Sequence, residues 1–297
     1  MTHPRTTAQR AEKGLRSTLL GIVANLCMVA IKALAGYFGN SYALIADAIE
    51  SASDVFTSFI VWVGLRAASK EPDQDHPYGH GKAEPLAAIM VALSLIGAAI
   101  FIAIQSVDHI LTPHTSPAPF TLIILVIIIL VKEGMYRYTN RVGSEIESAA
   151  VKADAWHHRS DAITSLTAAI GIAIALIGGP GYESADDWAA LIASVIIVIN
   201  AYRIFMPAFT EIMDAAPPSD FANEVRNIAA TVPQVQGLDK CLVRKMGFEY
   251  FVDLHIIVDG NLSVREGHDI AHAVKAEVMR QKPSVYDVLI HVEPTYL

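Results

Sequence analysis

Two pairs of ionisable residues interrupt stretches of the chain that are otherwise strongly apolar. They are Glu50 with Asp54, and His157 with Asp161. Each pair has the spacing i, i+4, which on an α-helix places both side chains on one face about one turn apart. A carboxylate at the centre of a lipid bilayer costs about 2.5 to 3.5 kcal/mol by insertion scales, so it needs a partner, water or a bound ion. Three carboxylates and one imidazole from two helices predict a site for a divalent transition metal.

The apolar segments that contain or directly adjoin these pairs have the length of membrane spans. Of the 297 residues, 53% are hydrophobic and 18% are charged, and the mean hydropathy is +0.40. A helix needs about 20 predominantly apolar residues to cross a hydrocarbon core about 30 Å thick. Segments of this kind cover residues 17–38, 42–66, 86–111, 119–138, 162–178 and 187–210. The sequence therefore predicts a membrane domain of six helices over residues 1–213 and a soluble domain over residues 214–297.

Further polar residues extend each pair into a stripe along its helix. Asp47 and Asp154 stand three residues before Glu50 and His157, respectively. The matching spacing indicates that the second and fifth spans face each other. We expect the two added acids to support the site or line the pathway, and His158, turned by about 100° from its neighbour, to pack between helices. The alternative is an ion-paired helix interface without a ligand, which three acids and one histidine suit poorly.

The charges of the loops predict how the chain is oriented. Lys and Arg residues precede the first span and lie in the loops after the second and fourth spans, whereas loops 36–41, 111–119 and 178–187 contain none. By the positive-inside rule, both termini are cytoplasmic, and we expect the protein in the cell (inner) membrane. The net charge of −8, without any basic run, argues against a nucleic-acid partner.

Histidine and acidic residues also cluster outside the spans. Asp73, His76 and His80, here called the loop cluster, lie in the polar loop after the second span, where they either bind Zn²⁺ or stay solvated. After residue 214 the pattern predicts α-β-β-α-β, with helices over 220–231 and 264–280 and strands over 238–246, 250–259 and 288–292. This is a small open-faced sandwich. Its candidate metal ligands are Asp239, His255, His268, His291 and Glu293, and His272 could substitute for His268; three histidines and two acids in one small domain favour a metal site, and the alternative is that they are ordinary surface groups.

Three segments resemble the cation diffusion facilitator family of metal transporters. They are residues 41–54 (SYALIADAIESASD), 76–84 (HPYGHGKAE) and 157–161 (HHRSD), and the resemblance extends from residue 14 to the C-terminal end. It implies a homodimer with six transmembrane helices and a cytoplasmic domain resembling metallochaperones, which exports a divalent metal in exchange for protons. Glu50, Asp54, His157 and Asp161 fall on the transport site of the family.

The resemblance also implies roles for residues outside that site. Lys82 and Asp214 match a pair that ties the third span to the start of the cytoplasmic domain. The loop cluster and the candidates of the soluble domain match metal positions of similar members, although Asp239 and Glu293 depart from the residue types found there. Glu50 departs as well, because zinc-transporting members usually have Asp or His; a longer carboxylate accepts larger or more highly coordinated ions. Zinc is the first candidate ion, with iron, manganese, cobalt and cadmium open.

Two other classes of function are compatible with metal ligands in a membrane. A metal sensor or scaffold would bind ions without moving them. An intramembrane metallohydrolase would need a general base or nucleophile beside the metal, and the sequence offers none apart from the ligands themselves. We therefore predict a transporter and not an enzyme.

Overall fold

The chain forms six long helices followed by a small mixed sheet. The computed structural model describes residues 7–38, 42–111, 121–178 and 185–295. The long helices are α1 (Thr7–Phe38), α2 (Tyr42–Ala68), α3 (Ala83–Leu111), α4 (Thr121–Glu145), α5 (Ala149–Gly178) and α6 (Ala185–Ile212). They are followed by α7 (Ser219–Ala230), β1 (Gly237–Met246), β2 (Glu249–Val258), α8 (Val264–Gln281) and β3 (Val285–Pro294). This element order agrees with the predicted fold class.

The described residues form two compact units. One consists of Glu12–Ala68 and Ala83–Phe209, and the other of the described parts of Met1–Ala11, Ser69–Lys82 and Thr210–Leu297. The loop between α2 and α3 therefore belongs to the same unit as the sheet, which the sequence did not predict. The division into domains 1–213 and 214–297 stays a prediction.

Several of the long helices expose apolar side chains. Leu20, Ile104 and Leu130, on three different helices, are 56%, 65% and 68% exposed, as expected of surfaces that face lipid. Within the described residues, three helical segments are long and apolar enough to cross a membrane on that basis alone: Gln9–Ile31, Ala83–Asp108 and Leu191–Ile212. Helices α2, α4 and α5 carry the ionisable residues of the candidate site.

Helix α5 begins much earlier than its apolar segment. The helix starts at Ala149, whereas the predicted span starts at residue 162. Its first half is polar in sequence, but Asp154, His157 and His158 are all buried inside the bundle. Hydropathy marks only the lipid-facing part of a helix, so it missed a half-helix whose polar face points inward.

Two contacts fix α5 and α2 against α3. Glu84, buried at the start of α3, accepts hydrogen bonds from Ser148 Oγ at 2.6 Å and from the backbone N–H of Ala150 at 2.8 Å. It thereby satisfies an N–H at the start of α5 that has no partner within the helix. Helices α2 and α3 approach closely at Gly64, where a Cβ atom would collide with Ala87. These contacts hold the candidate ligands of α2 and α5 at defined positions.

The sheet has the order β1-β2-β3. Strands β1 and β2 are antiparallel, and β2 and β3 are parallel and joined through α8. Helices α7 and α8 pack on it around a core that includes Val225, Leu254 and Val274. The predicted elements agree with the observed ones to within one residue, except for β3, which begins three residues before the predicted start and ends two residues after the predicted end, at Val285–Pro294 and not at 288–292.

Candidate metal centre

Asp54 of α2 and His157 and Asp161 of α5 come together inside the helix bundle and are here called the membrane cluster. One ligand atom from each lies within 4.8 Å of the others. His157 Nε2 is 3.1 Å from Asp54 Oδ1 and 3.9 Å from Asp161 Oδ2. Ligand atoms around a tetrahedral zinc ion with bonds of about 2.1 Å lie about 3.4 Å apart. The cluster therefore presents one nitrogen and two carboxylates at nearly the separation that a metal requires.

Glu50 is the fourth predicted ligand of the same site. It belongs to α2, one helical turn before Asp54. Its side chain, like that of Asp47, lies outside the described residues. The structure therefore brings together three of the four predicted ligands.

Lys132 of α4 lies directly against the membrane cluster, and our sequence analysis did not single it out. Its Nζ atom is 2.7 Å from Asp54 Oδ2 and 2.8 Å from Asp161 Oδ2. It also donates to Asn25 Oδ1 of α1 at 3.3 Å. The Lys132 side chain is only 2% exposed. An ionisable residue within a membrane span generally marks a functional site. This rule would have identified Lys132 in the fourth span, but we applied it only to the second and fifth spans.

Asp154 and His158 occupy a second buried position on α5. Asp154 Oδ1 accepts a hydrogen bond of 2.8 Å from Ser58 Oγ of α2. His158 Nε2 lies 3.9 Å from Asp154 Oδ2, and both side chains are fully buried. Asp154 thereby joins α5 to α2 beside the membrane cluster and stabilises the contact between the two helices that carry its ligands.

The loop cluster is also assembled in the structure. Its imidazole nitrogens lie 3.3 Å (His76 Nδ1) and 3.5 Å (His80 Nε2) from the oxygens of Asp73. Asp73 Oδ1 accepts hydrogen bonds from the backbone N–H groups of His76 at 2.7 Å and Asp75 at 3.0 Å. The bond from His76 is the main reason that the pKa of Asp73 is lowered from its ordinary value, so this carboxylate is ionised at neutral pH. The turn thus presents a charged oxygen between two imidazoles.

In the sheet, the strand register brings together His255 of β2 and two residues of β3. His255 pairs with His291, and the two rings are 4.6 Å apart. His255 Nδ1 lies 2.7 Å from Glu293 Oε1. One ligand atom of each of the three lies within 4.8 Å of the others. We call this group, His255, His291 and Glu293, the sheet cluster.

The remaining candidates of this unit lie elsewhere. Asp239 is exposed on β1, where its backbone carbonyl accepts a hydrogen bond from Arg226. His268 lies on α8 with its ring 4.4 Å from that of His272. Within the described residues of one chain, neither Asp239 nor His268 belongs to the sheet cluster.

The predicted Lys82–Asp214 pair is present, with Nζ 3.1 Å from Oδ1. Its side chains are 41% and 45% exposed, so we expect the pair alone to contribute little stability. A more buried contact lies next to it, because Glu211 accepts hydrogen bonds from Lys245 Nζ and from the backbone of Gly247, both at 3.0 Å. Glu211, which the sequence did not single out, therefore ties the last turn of α6 to the β1–β2 hairpin.

Comparison with known proteins identifies the family. A family model described as the cation efflux transmembrane domain matches residues 18–213, and one described as the cytoplasmic domain of cation efflux proteins matches residues 217–295. The chain belongs to the cation diffusion facilitator family. As a member of it, the protein is a membrane protein with a cytoplasmic α-β domain, which confirms both the resemblance and the predicted fold class. The family consists of transporters and not of enzymes.

Individual relatives align with this family member over nearly all its length. It is 32% identical to the manganese efflux system protein MneP of Bacillus subtilis, over 97% of this chain and 99% of the relative. It is 31% identical to the cation-efflux pump FieF of Cronobacter sakazakii, over 92% of this chain and 90% of the relative. A solved MamM CTD is 26% identical and covers 26% of this chain and 98% of its own, with a TM-score of 0.26.

Proposed function

We propose that the protein exports divalent transition-metal ions from the cytoplasm in exchange for protons, and that the membrane cluster together with Glu50 is the transport site. The observation that carries this proposal is the meeting of Asp54, His157 and Asp161 inside the helix bundle of a cation efflux protein. Packing alone does not explain a buried group of two carboxylates and an imidazole, because apolar residues would fill the same space without the cost of burying charge. It does supply the donors that Zn²⁺ and similar ions prefer.

The same groups account for the exchange of metal against protons. A metal binds to deprotonated carboxylates and to neutral imidazole, so metal binding and protonation exclude each other. In the inward-facing state the deprotonated cluster captures a cytosolic ion. Movement of the helix bundle then exposes the site to the other side, where protons displace the ion and reset the carrier.

The donor set is compatible with several transition-metal ions. Imidazole favours zinc over manganese, whereas carboxylate oxygens suit manganese well. Zinc is our first candidate because tetrahedral sites of His and carboxylate are typical of it. The carboxylate of Glu50 and the similarity to the manganese efflux system protein MneP keep manganese among the candidates, with iron, cobalt and cadmium.

The sites outside the membrane fit a regulatory role in a homodimer. With both termini cytoplasmic, the loop and sheet clusters face the cytosol, so the fraction of each cluster that is occupied depends on the cytosolic metal concentration. Metal bound there shifts the carrier towards the transport-competent state only if it binds that state more tightly. Lys82 and Asp214 would then act at a hinge, where a weak pair matters because it can open.

Flux measurement separates this function from a metal sensor or scaffold. The purified protein is placed in liposomes that contain a metal-sensitive dye, a pH gradient is imposed, and zinc, manganese, iron, cobalt and cadmium compete for uptake. We expect saturable flux that collapses when an ionophore removes the pH gradient. Saturable metal binding without flux would instead make the protein a sensor or scaffold.

The combined change His255→Ala, His268→Ala and His291→Ala should separate regulation from transport. The isolated 214–297 fragment has its own hydrophobic core, so we expect the variant fragment to fold and to lose metal binding in calorimetry. Transport by the full chain should fall about fivefold, the lower end of usual coupling between sites, and not to zero.

The control for this variant is Arg265→Ala, which removes an exposed side chain of α8 that does not bind metals. Unaltered metal binding by the triple variant would make these histidines ordinary surface groups. Complete loss of flux in a well-folded full-length variant would mean that cytoplasmic metal is obligatory for transport.

A further inference from the structure

Lys132 gives the membrane cluster a positive charge of its own. The ammonium group lies 2.7 Å from Asp54 and 2.8 Å from Asp161, the two carboxylates that the cluster offers to a metal. We propose that Lys132 is a tethered competitor of the transported ion: its ammonium binds the same carboxylates and must move off them when a metal binds. This inference rests on the proposed transport site and adds to it a residue that sets affinity and release.

The contacts place the ammonium where a metal ion would be repelled. Asp161 Oδ2 accepts a hydrogen bond of 2.8 Å from Lys132 Nζ and lies 3.9 Å from His157 Nε2, so the lysine holds an oxygen that also faces the imidazole. Asp54 contacts both residues: its Oδ2 accepts a hydrogen bond from Lys132 Nζ, and its Oδ1 lies within hydrogen-bond distance of His157 Nε2. A divalent ion between the imidazole and these carboxylates would lie a few ångströms from the ammonium, in a buried region where repulsion is weakly screened.

The surroundings of Lys132 allow it to withdraw. Its four-carbon stem is flexible, and its three N–H donors can be redistributed. Asn25 Oδ1 already accepts one of them at 3.3 Å, and the Asn25 side chain is fully buried on α1. This neutral amide oxygen keeps a hydrogen bond on the ammonium while the carboxylates turn to the metal, and an ammonium left without any acceptor in this interior would be costly.

Competition of this kind favours turnover over tight binding. After the ion leaves, the ammonium returns to the two carboxylates and keeps them from repelling each other. A carrier without this charge should hold its ion more tightly and release it more slowly. A lysine that only orients the carboxylates predicts the opposite sign, because its loss would weaken metal binding.

The test compares Lys132→Gln and Lys132→Met with Lys132→Arg, which retains the charge. All three are made in the full chain carrying Asp73→Ala, His76→Ala, His255→Ala and His291→Ala, so that the membrane cluster dominates zinc binding. Zinc Kd is measured in detergent by competition with a chelating dye, and maximal zinc flux is measured in liposomes. For both neutral variants we expect a Kd at least tenfold lower than that of the parent and a reduced maximal flux, whereas the arginine variant keeps a weak parent-like Kd.

Unchanged or weaker zinc binding by the two neutral variants would overturn the proposal. Failure of both to fold, judged by size-exclusion chromatography, would overturn it too, because Lys132 would then be a structural counter-ion. An Asp54→Ala arm in the same background tests the proposed function separately. If Asp54→Ala binds and transports zinc normally, the transport site itself is wrong; if it loses both while Lys132→Gln behaves as the parent, only the competitor role fails.

Discussion

Replacement of Asp54 or Asp161 by alanine is expected to abolish metal flux, with a loss of at least about 100-fold, because changes to groups that merely support metal ligands already cost about 10- to 100-fold. Each substitution removes one oxygen donor from a small ligand set. Each also takes away one of the two carboxylates that hold the buried Lys132 ammonium. The remaining charges are then unbalanced in a region that water reaches poorly.

The measurement is zinc and manganese uptake by liposomes that contain equal amounts of each purified variant. Asp108→Ala provides a matched control, because it removes an exposed acid from α3 outside the membrane cluster. Size-exclusion chromatography and circular dichroism establish that the variants remain folded. Normal metal-driven transport by either the Asp54 or the Asp161 variant would show that the ion crosses elsewhere.

Glu50→His is expected to raise the preference for zinc over manganese by about tenfold, because imidazole is a softer donor that suits zinc better. Glu50 lies one turn before Asp54 on α2, and the resemblance to the family implies Asp or His at this position in zinc-transporting members. The preference is measured as competition flux between the two ions. Glu50→Asp is the control that retains a carboxylate, and an identical preference series for Glu50→His and the parent would place selectivity at other residues.

The ligands on α2 and α5 could be predicted because helix geometry alone relates residues four apart. A polar pair within an apolar run also carries its own signal, since the membrane makes an unpaired charge expensive. Pairing between the helices followed from the matching stripes. Asp54 and His157 meet at 3.1 Å in the structure.

Other features of the site depend on contacts that spacing does not encode. Lys132 stands beside Glu133 near the end of an apolar segment, where a lysine is usually read as an interfacial anchor that reaches towards water. Only the packing of α4 against α5 turns it inward onto Asp161. The apolar boundary at residue 162 falls too late for α5 for the same reason, because a hydropathy scale does not distinguish a buried polar helix face from a loop; only the polar stripe indicated that the helix already includes Asp154 and His157.

The sheet shows a similar division between local and tertiary information. The sequence pattern predicted the strand over 250–259, but the pairing of His255 with His291 requires the parallel register of β2 and β3, which α8 connects. Asp239 and His268 illustrate the limit. Both are of the right type in the right domain, and their elements adjoin the sheet cluster, yet among the described residues neither joins the group of ligand atoms that lie within 4.8 Å of one another.

Location of zinc in the protein tests the central claim, that the transported ion binds between α2 and α5, more directly than any variant. The measurement is an anomalous difference map at the zinc edge from crystals grown with saturating Zn²⁺. We predict an anomalous peak about 2.0 to 2.2 Å from His157 Nε2 and from oxygens of Asp54 and Asp161. Crystals of the Asp161→Ala variant should lack this peak. Zinc at the loop and sheet clusters, with no peak between α2 and α5 of the parent protein, would contradict the account.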